Sequence, residues 1–168
     1  MLFRSLDPAA SPFAVGERLE YDLSWGFFPV GSAVMEVLEA KENQSEGAKT
    51  IRFQVRSNSF ADNFYKVRTS ISSTVDADFT KSLLYQKSQR EGRTRREIRV
   101  EYDYANGVAR YFSEAEEQKT TPIPESVFDP LAIAYFFRLR ELAPQSSRVL
   151  PVSDGDRKST RLNSSHQI

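Results

Sequence analysis

The sequence predicts a mostly β protein, an antiparallel sheet built as a meander and covered by one buried aromatic helix. Three observations carry this expectation. Apolar and polar residues alternate with a period of two through several separate segments, the mark of strands with one wet face. Twelve Phe, seven Tyr and one Trp among 168 residues favour strands and large buried surfaces. A single stretch near residue 130 joins a capping aspartate, a proline at the first helical position and an apolar run.

Residues 1–14 read as an extended leader, because Pro8 and Pro12 block regular structure there. Residues 16–40 then hold two amphipathic strands. In the first, Leu19, Tyr21, Leu23 and Trp25 face one way while Arg18, Glu20, Asp22 and Ser24 face the other; Ala33, Met35 and Val37 repeat the pattern in the second. Residues 41–49 are a polar loop, and residues 50–57 form a third strand with Ile51, Phe53 and Val55 on its apolar side. Short links between consecutive strands imply antiparallel neighbours.

Residues 59–65 are expected to be irregular or one turn of helix, tucking Phe60 and Phe64 under the sheet edge. Strand pattern returns at Val67, Thr69, Ile71, Ser73 and Val75, and again at residues 83–90, where Leu83 and Tyr85 give way to Lys87 and Gln89. From residue 93 to 113, Ile98, Val100, Tyr102 and Tyr104 alternate with polar residues before Asn106-Gly107, a hairpin mark that calls for positive φ at both turn residues. Residues 114–119 have the composition of a mobile acidic link, and Pro122 and Pro124 an extended connector. Residues 128–142 form the helix, capped by Asp129, with Arg138 and Arg140 complementing its dipole in the last turns. It is apolar almost all round, so it is expected to close over the apolar face of the sheet. Residues 149–152 begin another strand.

Composition excludes several functions. There is no cysteine, hence no disulfide, thiol nucleophile or thiolate metal site. Lys and Arg balance Asp and Glu at 23 each, which gives no electrostatic case for nucleic acid. No segment reaches the roughly 18 apolar residues of a membrane span. The only histidine is His166, and it lies in Asp156–His166, DRKSTRLNSSH, which matches one reading frame of a sequencing adapter. Residues 156–168 are therefore read as a translated sequencing-adapter artefact, residues 15–155 as a single β-rich domain incomplete at its C-terminus. Setting the adapter-like residues aside leaves 20 basic and 22 acidic residues and no histidine for a Ser-His-Asp site.

No catalytic residue, metal ligand or cofactor is expected from what remains. Glu20, Asp22 and Glu36 are the nearest carboxylate cluster, but they fall on wet strand faces. Arg93, Arg95 and Arg99 share one side of a strand and are the candidates for anion binding; Glu97 and Glu101 lie on the same side and can pair with them as a mixed solvated face. Trp25, Phe27 and Phe28 place three large rings in one turn. A two-strand hairpin cannot bury them alone, so either the helix covers them as core or, with Tyr135 and Phe136, they line a mouth for a ligand.

GERLEYDLSWGFFPVGSAVMEV, followed by FDPLAIAYFFRLREL and VSDG, resembles the family of bacterial exported proteins known by domain of unknown function 3108 over about residues 13–155. The Gly-Glu opening, the Trp-Gly and Val-Gly pair and the Asp-Pro-Leu helix start carry the resemblance. It implies a periplasmic or otherwise exported location, with a signal peptide absent from this chain, and a curved antiparallel sheet or half-barrel with the aromatic helix inside, truncated at its C-terminus. It brings no activity. The expectation is a non-enzymatic cell-envelope protein that binds an apolar or lipid-like molecule in the concave face, or else a module that pairs with an envelope protein partner through a sheet edge.

Overall fold

The computed structural model describes residues 14–41, 45–114, 116–138 and 149–154. Eight strands form one antiparallel sheet: β1 (Arg18–Trp25), β2 (Phe28–Glu39), β3 (Lys49–Ser57), β4 (Val67–Val75), β5 (Ser82–Glu91), β6 (Thr94–Asp103), β7 (Val108–Ser113) and β8 (Glu116–Pro122). Each strand pairs with its neighbours in sequence, so the order across the sheet is β1 to β8 and the sheet is open. Helices α1 (Ser59–Asp62) and α2 (Pro130–Phe136) are short. The expected fold class is the one found.

The period-two alternation sets the register. Met35 sits opposite Phe53, Phe53 opposite Ile71, and Val37 opposite Ile51, so apolar side chains line up on one face across β2, β3 and β4. Helix α2 lays Leu131, Ala132, Ile133, Tyr135 and Phe136 on this face, against Val37, Ile51, Val75 and Phe79. Burying such side chains stabilises by roughly 2 kcal/mol each. The same face continues over β5, β6 and β7 as a second cluster of Tyr85, Val100, Tyr102, Ala109, Tyr111 and Val127.

Buried hydrogen bonds fix where α2 lands. Asp129 has no solvent exposure; its Oδ1 accepts from the backbone N–H groups of Leu131 (2.8 Å) and Ala132 (2.9 Å). Its Oδ2 accepts from the hydroxyls of Ser73 on β4 and Ser82 on β5, and Ser82 in turn accepts from the Asp129 backbone N–H at 2.8 Å. At its other end Arg138 pairs with Glu17 at 2.6 Å, just before β1. The helix therefore runs beneath the sheet from β4 and β5 towards β1 and β2.

Four local expectations change. β8 occupies the stretch expected to be a mobile link and connector; its prolines misled, since Pro122 at the end of an edge strand loses nothing it could pair. Residues 104–107 make a four-residue loop in which only Gly107 has positive φ (64°), while Asn106 donates to Asp103 through its backbone and its side chain. Phe60 and Phe64 do not tuck under the sheet; they are 53% and 79% exposed. The segment at residue 152 makes a single parallel bridge between Val152 and Phe128. The expected leader up to residue 13, the helix beyond residue 138 and the adapter-like tail lie outside the described residues.

Candidate functional site

Alternation leaves the other face of the sheet polar, and the register sorts its side chains into rows. One row reads Glu36, Arg52, Ser72, Gln86, Arg99 and Phe112 across β2 to β7. The next, towards the β5–β6 turn, reads Gln54, Ser70, Ser88 and Glu97. The outermost reads Arg56, Arg68, Arg90 and Arg95, four arginines side by side on β3 to β6. Small Ser and Thr side chains in the middle leave hollows between the longer ones. One of about 470 Å³ lies over Ser70, Ser72, Gln86, Ser88 and Arg99, and one of about 410 Å³ over Arg56, Arg68, Arg90, Ser70 and Ser88. Another, of about 480 Å³, extends over Thr50, Arg52, Ser72, Thr74 and Arg99. They share residues and form one polar trough.

Most carboxylates on this face are held by arginine. Glu36 accepts from Arg18 and, at 2.8 Å, from Nη2 of Arg52; the hydrogen bond from Arg52 is the chief reason its pKa lies below the usual carboxylate range. That is the wrong direction for a general base at neutral pH. Glu20 pairs with Arg18 at 2.7 Å, so Glu20 and Glu36 belong to one ion-pair network with Arg18 and Arg52, while Asp22 lies on the same face opposite Ser32. Among the described residues no group of His, Asp or Glu is placed to hold a metal ion. The Ser73, Ser82 and Asp129 triad lacks a base and is sealed from solvent; burial pushes the Asp129 pKa up.

The aromatic turn stands at the same end of the sheet as the arginine row. Gly26 (φ 60°) and Phe27 link β1 to β2, leaving Trp25 83% exposed, Phe27 wholly exposed and Phe28 64% exposed. The ring of Phe28 stacks on Phe60 (centroids 6.3 Å apart), and Phe60 meets Phe64 edge-on at 5.6 Å. α1 is held in place by its cap, Asn58, which accepts from Ala61 N–H at 2.9 Å and donates to the Pro29 carbonyl at 2.7 Å. Arg68 secures it from the other side by pairing with Asp62 at 2.6 Å. Tyr65, also exposed, lies beside Gly92 in the β5–β6 turn at the same end of the sheet.

The five candidate aromatic residues are thus divided. Tyr135 and Phe136 are buried in α2 near Glu17, whereas Trp25 lies the length of β1 away, roughly 25 Å. Helix α2 does not cover the turn. The candidate arginines divide too: Arg93 is exposed in the β5–β6 turn, Arg95 joins the arginine row, and Arg99 lies in the trough, paired with Glu101 at 2.6 Å. Glu97 instead accepts from Ser88 at 2.6 Å. Reasoning from sequence missed Arg56, Arg68 and Arg90, which alternation puts on the wet face but only the cross-strand register brings together.

No curated protein and no solved structure matches the chain. A family model does, over residues 20–164, from the edge strand β1 through α2 and beyond, which covers both the aromatic turn and the arginine row. The chain therefore belongs to the family described as protein of unknown function (DUF3108).

Proposed function

We propose that this protein is a non-enzymatic component of the bacterial cell envelope that binds lipid through the aromatic end of its sheet. The observation that carries the reading is the exposed cluster of Trp25, Phe27, Phe28, Phe60, Phe64 and Tyr65. Rings cost free energy in water at the rate they repay when buried, and contiguous apolar patches on a soluble domain mark an interaction surface. Trp and Tyr favour the boundary between headgroups and acyl chains. The surroundings favour an anionic bilayer: Arg56, Lys66, Arg68, Arg90, Arg93, Arg95 and Arg96 flank this end, in a chain whose acidic and basic residues balance overall. The resemblance to exported bacterial proteins supports an envelope location.

The lipid contact is at the end of the sheet and not beneath α2, where Phe128 packs on Phe136 with ring centroids 5.0 Å apart and Tyr135 fills the space beside them. A second reading is favoured by the open edges: among the described residues β1 and β8 each have one unpaired side on which a partner strand could add.

Trp25 is the only tryptophan, so fluorescence tests the lipid reading directly. With phosphatidylglycerol vesicles its emission shifts to the blue and is quenched by brominated acyl chains. Unchanged emission at saturating lipid would overturn the reading.

A further inference from the structure

We infer that the hollow beneath Arg56, Arg68 and Arg90 is a binding site for a phosphate-type oxyanion, whether the phosphate is free or carried by a lipid headgroup.

The case rests on register. Arg56 is directly opposite Arg68, Arg68 opposite Arg90, and Arg90 opposite Arg95, so four guanidinium groups stand in line on neighbouring strands. Like charges directly opposite one another destabilise a sheet, and natural sheets ordinarily intersperse acids among them. Here only Arg68 has an acid. It is clamped by Asp62 and by the carbonyl and hydroxyl of Ser57, at 3.1 and 3.0 Å. Among the described residues Arg56, Arg90 and Arg95 make no ion pair, and all three are exposed. The repulsion left in this row is what a bound anion would relieve.

The floor fits the same ligand. Between the arginines and the centre of the sheet, Gln54, Ser70 and Ser88 line a hollow of about 410 Å³. Ser70 and Ser88 sit opposite each other, and both line the hollow. A tetrahedral oxyanion offers several acceptor oxygens; guanidinium forks from two sides and a hydroxyl from below match them. A neutral ligand would leave the guanidinium charges unanswered. Arg68, fixed by Asp62, holds the middle of the row still, so that Arg56 and Arg90 close from either side.

The inference goes beyond the lipid reading and does not depend on it, since a free phosphate would fill the hollow without any membrane. The test uses the full chain and the Arg56→Gln/Arg90→Gln double variant. Both residues are exposed, so the fold is retained, which circular dichroism checks. Lys41→Gln serves as the control, being exposed at the other end of the sheet and outside this hollow.

Titration with inorganic phosphate, followed by amide NMR shifts, is expected to move Gln54, Arg56, Ser70, Ser88 and Arg90, and the double variant to bind at least about tenfold more weakly. The control stays within about twofold. Phosphatidylglycerol vesicles form the second arm. Loss of vesicle binding in the double variant with little response to free phosphate assigns the site to a headgroup; the reverse assigns it to a solute. Equal losses in the double variant and the control, or no localised shift and unaltered vesicle binding, overturn the site. If the site fails while Trp25 emission still shifts on vesicles, the lipid reading stands without it.

Discussion

Ser73 on β4 donates its hydroxyl to Asp129, the residue that caps α2, and neither side chain reaches solvent. One buried carboxylate thus joins two strands to a helix. Asp129→Ala removes the cap, worth about 1 kcal/mol, and leaves the buried Ser73 and Ser82 hydroxyls to find new partners at about 1–3 kcal/mol. A destabilisation of about 3 kcal/mol is expected in urea unfolding. Asp129→Asn keeps an acceptor for the two helix amides and is expected to cost less than half as much.

The same residue sets a pH dependence. Burial is the main influence on Asp129 and raises its pKa, so the folded protein keeps this proton to a higher pH than the unfolded chain does. Stability from such a group is full below the unfolded carboxylate value and is lost as pH rises through the folded one. The Asp129→Asn variant does not titrate there. Its deficit relative to the parent should therefore shrink as pH rises from about 3 to about 7. Glu36, Asp62 and Asp103, whose pKa values are lowered by their partners, act in the opposite sense but cancel in this comparison. A deficit that grows with pH would show that the hydrogen bonds to Asp129 outweigh its burial.

Phe79 is buried yet has φ of 57°, in a turn held by Asp76, which accepts from the backbone N–H groups of Thr80 (2.6 Å) and Lys81 (3.1 Å). Removing the ring costs about 3 kcal/mol or more. The backbone reverses the usual ranking of the small residues. Phe79→Gly should be about 1 kcal/mol more stable than Phe79→Ala, because only glycine adopts this φ without strain. Thermal melts of the two variants decide it.

Gly31 has an ordinary φ and is required for a different reason. A Cβ there would overlap the Arg56 carbonyl oxygen and come within 3.0 Å of the Ser57 Cα across the β2–β3 pair. Gly31→Ala is expected to destabilise by about 2 kcal/mol and to speed amide exchange at Asn58, whose N–H reaches the Val30 carbonyl at 2.9 Å.

Phe27 separates binding from stability. Its ring touches little of the fold, being wholly exposed, so Phe27→Ser should leave the melting temperature unchanged while reducing vesicle binding several-fold. Equal vesicle binding would remove the turn from the lipid contact.

Much of the sheet was legible because period-two alternation is a local signal: Arg18–Trp25 and Lys49–Ser57 read as strands from their own residues. β8 was not, since Glu116–Pro122 is polar and lies at an edge where apolar alternation is not demanded. The destination of α2 was half legible. Its cap and apolar run are local, but the serines that receive Asp129 are 56 and 47 residues away, and they steer the helix to the end of the sheet opposite Trp25. The arginine row was hidden for the same reason. Arg56, Arg68, Arg90 and Arg95 belong to four strands, and nothing in any one strand announces that register aligns them.

The meander order also bears on how the chain folds. Every strand finds its partner next door in sequence, so the sheet can assemble hairpin by hairpin with short loop closures. The Glu17–Arg138 pair spans 121 residues and exists only once α2 has docked. Helix docking is then a late step that locks a sheet already formed. Asp129→Ala should accordingly hasten unfolding and leave the refolding rate nearly unchanged in stopped-flow measurements, the kinetic signature of a latch rather than a nucleus.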